Sequence, residues 1–322
     1  MLIARRATLA LLAATALVTP ALAAEPVTVA VTAIVEHPAL DAARDGIKAA
    51  LMAGGYEDGK NLHFTYESAQ GNPATAAQIA RKLVGDAPTV IVPISTPSAQ
   101  AVVGATRTIP VVFTAVTDPV GAKLVKEAAH PGDNVTGMSD LSPIGKHLDL
   151  IKEITPAVKR LGVIYNPGEA NSVTLLELLK HEASARGLSI DAAPAPKSAD
   201  VLPAAQSLVG QVDAIYIPTD NTVVTALEAV VKVGEENRLP VYAGDTDSVP
   251  RGAIAAIGFN YFDVGRQTGN IVLRVLKGEK PGDIPVEGVQ ITELYVNPAA
   301  AAAMGVTIPA AVSARAKIVG KN

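Results

Sequence analysis

The sequence predicts an α/β protein made of two like lobes, each a parallel sheet flanked by helices. Three observations carry that expectation. Short apolar, β-branched runs alternate with helix-like segments along nearly the whole chain, the pattern of β-α-β units. Most of the runs are continuously apolar, as strands covered on both faces are. The order strand, polar turn, helix, x-Pro-strand also occurs twice. Val90-Ile91-Val92-Pro93 leads through Ser95-Thr96-Pro97-Ser98 to Ile109-Pro110-Val111-Val112-Phe113. Ala214-Ile215-Tyr216-Ile217-Pro218 leads through Thr219-Asp220-Asn221-Thr222 to Leu239-Pro240-Val241-Tyr242. Such repetition marks two like units, although a chance likeness between generic β-α-β units, or one large sheet, fits the same alternation. A chain of 322 residues exceeds the usual single core, which favours two domains.

In order, strands are expected at residues 27–31, 61–66, 90–94 and 111–113, with helices at 40–54, 74–84 and 98–105. A second series follows, with strands at 160–165, 188–192, 213–217 and 239–243 and helices at 173–186, 201–209 and 223–237. The chain is expected to pass between lobes near Met138-Ser139-Asp140. A second passage near Asp245-Thr246-Asp247-Ser248 would return residues 253–259 and a helix at 261–276 to the first lobe. A third, at 281–289, would bring the C-terminus back. The first lobe is thus residues 24–138 plus about 248–278, and the second 139–247 plus about 279–322.

The first 23 residues read as a secretory leader. Arg5 and Arg6 precede a nearly wholly apolar run at 7–18, and Ala21-Leu22-Ala23 offers small residues for cleavage. Thr19 and Pro20 cut the run short of the roughly 20 apolar residues a spanning helix needs; an uncleaved anchor is the alternative. The mature chain is expected to start near Ala24. There is no cysteine, so stability rests on the core rather than on disulfides, and no lipid anchor can be attached through a thioether. These features fit a soluble protein of a Gram-negative periplasm. The balance of 27 basic and 31 acidic residues, without a basic cluster, gives nucleic acid no footing.

In doubly wound sheets, ligands bind beyond the carboxyl ends of the strands. Those turns are rich in hydrogen-bonding groups: residues 34–38, Ser95-Thr96-Pro97-Ser98, Thr114-Ala115-Val116-Thr117-Asp118, 166–171, Thr219-Asp220-Asn221 and Gly244-Asp245-Thr246-Asp247. Ser95, Thr96 and Ser98, at a helix start, make the best anion site, or else cap their own helix. Asp220 and Asp245 are the best cation partners; Asp220 reads equally as an N-cap, and Asp245 with Asp247 as a weak metal site. Glu36 and His37 read as a solvated turn more readily than as an acid–base pair. His63, His130, His147 and His181 read as surface or satisfied residues. The chain lacks a P-loop, G-x-G-x-x-G, H-E-x-x-H and G-x-S-x-G, so no nucleophile–base constellation points to an enzyme and no cofactor is implied.

Several longer stretches carry a resemblance. Residues 36–41, 114–122, 165–172 and 218–222, with Gly258-Phe259-Asn260-Tyr261 and Gly265-Arg266-Gln267, are similar to the TrpX-like substrate-binding proteins of ABC transporters. The resemblance covers nearly the whole mature chain. It implies two Rossmann-like lobes joined by a multi-strand hinge, as in type 1 periplasmic binding proteins, closing on an aromatic or other apolar amino acid. It also implies a membrane permease and its ATPase as partners, with the binding protein itself a monomer. A zwitterion suits the turns described above: Ser95, Thr96 and Ser98 for its carboxylate, Asp220 and Asp245 for its ammonium. Glu36, Thr114, Ala115 and Asp140 from one side, and Asn166, Glu169, Asn171 and Thr219 from the other, would add contacts. Phe113, Tyr165 and Tyr216 are candidates for the apolar pocket, or strand core. Rival expectations are a sensor feeding a membrane receptor, a binder of sugars or nucleosides, and an enzyme using Glu36 or Asp245 as base. The scarcity of aromatics, 3% of residues, counts against sugar stacking.

Overall fold

A computed structural model describes residues 26–289 and 291–320; the expected leader lies outside the described residues. The chain begins with β1 (Val27–Ala33), α1 (Pro38–Ala53), β2 (Leu62–Ser68), α2 (Pro73–Asp86), β3 (Val90–Ile94), α3 (Thr96–Ala105), β4 (Val111–Val116) and β5 (Val135–Ser139). It continues with α4 (Ile144–Ile154), β6 (Arg160–Tyr165), α5 (Ala170–Ser184), β7 (Ser189–Pro194), α6 (Val201–Ser207), β8 (Ala214–Ile217), α7 (Asn221–Thr225), α8 (Leu227–Asn237), β9 (Val241–Ala243) and β10 (Ala255–Gly258). It ends with α9 (Tyr261–Leu276), β11 (Glu287–Gly288), β12 (Glu293–Val296), α10 (Pro298–Ala303), α11 (Ala310–Ser313) and β13 (Lys317–Ile318).

These strands form two sheets. The first runs β2-β1-β3-β4-β5-β11 with every neighbour parallel. The second runs β7-β6-β8-β9-β10-β12-β13, parallel except between β10 and β12. The central strands are covered on both sides: every residue of β3, β4, β8 and β9 is buried, which is why these runs read as continuously apolar. Separate apolar cores lie in the two lobes, one reaching from Val29 to Ile284 and one from Ile144 to Val312.

Two expectations about the path of the chain need correction. Residues 253–258 of the expected 253–259 do not return to the first lobe. β10 stands inside the second sheet, between β9 and β12, where Ile254 N–H bonds the Val241 carbonyl and the Ile254 carbonyl accepts from Asn297 N–H. The strand is apolar on both faces and would expose one of them anywhere else. The chain crosses back just before α9, so the passage lies at Phe259-Asn260, with the Phe259 side chain already in the first core. Likewise β11 pairs with β5 in the first sheet, so the last passage follows Gly288, at the end of the expected 281–289 stretch, and the first lobe runs past the expected boundary near 278. β5 and α4 were not expected as separate elements, and the single helix expected at 223–237 is two, broken at Ala226 (φ −108°, ψ 25°).

α9 is held to the first lobe by close contact with α1. A Cβ on Gly46 would overlap the Phe262 carbonyl, and one on Gly265 the Ala43 carbonyl. Asn260 caps α9, its Oδ1 accepting from Asp263 N–H at 3.2 Å. This fixes Tyr261 at the first turn, directly after the chain has crossed between the lobes.

Candidate ligand-binding site

The carboxyl ends of the two sheets face each other across a narrow, largely enclosed cavity, where doubly wound sheets place their ligands. His37, Ala39, Leu40, Ala115, Thr117, Asp140 and Tyr261 line it from the first lobe and its crossings. Asn171, Thr219, Asp220, Asn221, Val224 and Asp245 line it from the second. Three carboxylates therefore meet in one buried space, and no Lys or Arg is among the lining side chains.

Each carboxylate is placed by local structure. Asp220 caps α7: its Oδ1 accepts from Val223 N–H at 2.9 Å, and its Oδ2 from Asn166 N–H at 2.6 Å. Asp245 caps a short 3₁₀ turn, accepting Ser248 N–H at 2.8 Å and Ser248 Oγ–H at 2.6 Å. Asp140 follows β5, and its Oδ2 accepts the Tyr261 hydroxyl at 2.6 Å. Its Oδ1 is buried with no partner.

Burial dominates the electrostatics, and the Arg251 guanidinium, outside the lining, offsets it only in part at Asp245 and Asp247. Burial pushes the Asp220 carboxyl up to about 7, helped by the nearby Glu169 charge and opposed by the hydrogen bonds from Ser172, Asn166 and Val223. Burial also raises Asp140 and Asp245 against their hydrogen bonds. Asp247, beside Asp245, is raised to about 6 by burial and then by that neighbour's charge. His37 is pushed down to about 3 by burial and then by the charge of Arg251, against a bond with Asn221 across the cleft. Its imidazole is therefore neutral, and its Nδ1 is unpartnered. Asn171 Oδ1 and Thr219 Oγ1, both facing this region, are unpartnered too. A cavity so lined is built to receive positive charge and hydrogen-bond donors. Among the described residues, no three His, Cys, Asp or Glu side chains are grouped to hold a metal ion.

The backbone is left-handed at two strand ends near the cavity. Ser95, after β3, has φ +79°, and Ala115, in an irregular stretch at the end of β4, has φ +52°. Both are costly for residues other than glycine. Ala115 thereby presents only a methyl to the cavity. Ser95, Thr96 and Ser98 are buried, and none of the three hydroxyls has a partner. They do not cap α3, whose N-cap Ser95 makes no side-chain bond.

Of the residues expected from sequence, Ala115, Asp140, Asn171, Thr219, Asp220 and Asp245 line the cavity. The others do not. Glu36 is exposed and accepts from Gln70 Nε2 at 3.2 Å. Its neighbour His37, expected in a solvated turn, is the one buried at the cavity. Thr114 is wholly buried on the helix side of its sheet, where it accepts from Thr268 Oγ1 at 2.7 Å. Glu169 is consumed in the second lobe. Its oxygens accept from Asn221 N–H at 3.2 Å and from Thr222 N–H at 3.1 Å and Oγ1–H at 2.7 Å. Asn166 supports the same network through Thr222 Oγ1 at 2.8 Å. Asn166 and Glu169 open instead onto a neighbouring groove, which also takes in Pro97. Ser95, Thr96 and Ser98 lie at the α3 start beside that groove rather than on the cavity wall. Phe113 and Tyr216 are strand core, and Tyr165 is partly buried against the second core. Tyr216 reaches His147 Nδ1 at 2.6 Å, so His147 is a core histidine, not a surface one. Sequence reasoning missed His37, Ala39, Leu40, Thr117, Asn221, Val224 and Tyr261. All seven lie within or beside turns and helix starts that sequence marks; the inward direction of each is what it does not mark.

Comparison with known proteins places this architecture. Residues 28–319 match the model of a family described as ABC transporter substrate binding protein. A protein of Clostridioides difficile (strain R20291) named tyrosine-binding protein is 42% identical over 269 residues, 84% of this chain and 78% of that one. The structure of an ABC domain from Streptococcus pneumoniae in complex with L-Trp superposes with a TM-score of 0.89 at 34% identity, covering 92% of this chain and 100% of that one. A ligand-free, open structure of a substrate-binding protein from Clostridium difficile covers 92% of this chain and 99% of that one at 39% identity, with a TM-score of 0.69. The whole chain thus superposes better on the L-Trp complex than on the more identical open, ligand-free structure, which agrees with the burial of the cavity. Two α/β lobes of the type 1 periplasmic binding fold, and a family match over nearly the whole described chain, lead to one assignment: this chain belongs to the ABC transporter substrate-binding proteins.

Proposed function

We propose that this protein captures an aromatic L-amino acid of the tyrosine or tryptophan kind between its lobes and delivers it to a membrane permease driven by an ATPase. The observation that carries the reading is the interlobe cavity itself, where Asp140, Asp220 and Asp245 are buried together without a basic side chain. An ammonium beside Asp220, with Asn171 Oδ1 and Thr219 Oγ1 as further acceptors, supplies the missing charge. The three unpartnered hydroxyls at the start of α3, which stand off the cavity wall beside the adjoining groove in this arrangement, are the donors proposed for the carboxylate, together with the free N–H groups of that helix end. Leu40, Val224 and Ala115 leave apolar room between the two. The ligand class is supported by the names of the relatives, one called tyrosine-binding and one holding L-Trp. The reading places the protein in the periplasm after removal of its leader; no described helix is long and apolar enough to cross a membrane.

A thermal-shift screen of the purified protein against all amino acids and a panel of sugars tests this. L-Tyrosine or L-tryptophan at about 100 times its dissociation constant should stabilise the fold by about 2.7 kcal/mol. A shift with sugars and none with any amino acid would overturn the reading.

A further inference from the structure

One carboxylate oxygen in the cavity stands apart. Asp220 and Asp245 each have both oxygens bonded by protein donors. Asp140 has one oxygen bonded by Tyr261 and the other, Oδ1, buried without a well-placed hydrogen-bond donor, the Thr117 side chain being the other polar side chain that acts on the carboxyl. A buried carboxylate oxygen without a donor is costly and demands a partner. The Tyr261 hydroxyl also fixes which way that oxygen points. Tyr261 is wholly within the first-lobe core and sits at the capped start of α9. Asp140 itself is anchored through its backbone N–H to the Val116 carbonyl at 3.1 Å. The acceptor is therefore rigid.

Tyrosine and tryptophan share what phenylalanine lacks, a polar hydrogen on the far edge of the ring. Buried in an apolar pocket, that O–H or N–H needs an acceptor. We propose that Asp140, positioned by Tyr261, is the specificity-determining residue that accepts the ring-borne hydrogen of the ligand. The inference rests on the aromatic amino acid proposed above and on Asp220 serving its ammonium. It explains why one site suits both a phenol and an indole: the recognised feature is a donor at the ring edge, not the ring's shape. It also gives Tyr261 a task beyond packing, since its hydroxyl leaves Oδ1 as the one oxygen free for the ligand.

Titration calorimetry with L-tyrosine, L-tryptophan and L-phenylalanine tests this. The wild type should bind the first two at least about tenfold more tightly than the third, the scale of one charge-assisted hydrogen bond. Asp140→Ala should collapse that ratio while leaving the affinity for L-phenylalanine nearly unchanged. Tyr261→Phe keeps the ring in the core and guards against a misfolded Asp140 variant; it should narrow the ratio without abolishing binding, which a merely structural role would not do. Equal loss of all three ligands in Asp140→Ala would assign the acid to the ammonium and overturn the inference. So would a wild type that does not discriminate, which would leave the proposed ligand class standing. A protein that binds none of the three would overturn both.

Discussion

At the scale of single residues, charge and exposure separate neighbours that sequence cannot. Asp220 is wholly buried at the cavity, whereas Glu36 is exposed on the rim. Asp220→Ala should weaken binding of the amino acid by about 2–4 kcal/mol, the cost of stranding one buried charge. Glu36→Ala should stay within about 0.5 kcal/mol; calorimetry on both variants checks the contrast. The raised pKa of Asp220 gives a second expectation. Its carboxyl, pushed to about 7, is ionised only partly near neutrality, and an ammonium beside it favours the ionised form. Binding therefore releases protons, and affinity should rise as pH climbs through about 7 and level off above. Calorimetry in buffers of different ionisation enthalpy reads the released protons directly; a flat profile between pH 5.5 and 8 would remove Asp220 from the ammonium site. Asp220 and Asp245 were legible in the sequence because each follows an apolar strand run, where the fold puts its ligands; Asp140 was reached only from its place at the expected crossing between lobes. Glu36 and His37 show the limit. The turn was visible, but adjacent side chains point apart, and only the packed lobes decide which of the two is buried.

At the scale of elements, the decisive contact is between α1 and α9. Gly46 and Gly265 let the two backbones meet, each standing where a Cβ would strike a carbonyl of the partner helix. Relief requires moving a whole helix rather than turning a side chain. Gly265→Ala should therefore destabilise by at least about 1–3 kcal/mol, the overpacking range, as a lower urea midpoint with unchanged slope. Because α9 begins with Tyr261, the same variant should also loosen ligand binding. Gly55→Ala would be a poor control, since its φ of +89° is itself left-handed; Gly85→Ala, with open space around its Cβ, should cost little. Most strands were legible because burial on both faces leaves continuous apolar runs. β5, Val-Thr-Gly-Met-Ser, was not: its glycine and hydroxyls break the run, and it is buried only because β4 and the segment before β11 cover it. β10 was read as a strand but given to the wrong lobe. Nothing local distinguishes the sheets, and its place is set by pairing with β9 and β12, partners distant in sequence.

For the whole molecule, closure is an electrostatic problem before it is a mechanical one. The chain passes between the lobes three times, after β5, before α9 and after β11, so the lobes can rotate on short connections without losing their own cores. Closing them empty at neutral pH buries Asp140, Asp220 and Asp245 together with no cation to match. The open arrangement is then favoured, and a ligand shifts the balance only through contacts it makes with both lobes at once. Protonation relieves part of the same penalty. For an acid whose folded pKa is raised, the stability of the buried form is present below the ordinary carboxylate range and is lost as pH rises through the shifted value, about 7 for Asp220 and about 6 for Asp247. Acid should thus favour closure of the empty protein; His37 opposes this, since it is neutral in the closed site with a pKa near 3 and an exposed imidazole charges below about 6.5, but the two raised acids outweigh the one imidazole. Small-angle scattering should therefore show the ligand-free protein most expanded at pH 8 and contracting toward pH 5.5. At pH 8 the proposed amino acid should contract it to the closed dimensions. Profiles unchanged by ligand at pH 8 would mean that the buried carboxylates do not hold the lobes apart, and that charge neutralisation is not what closes them.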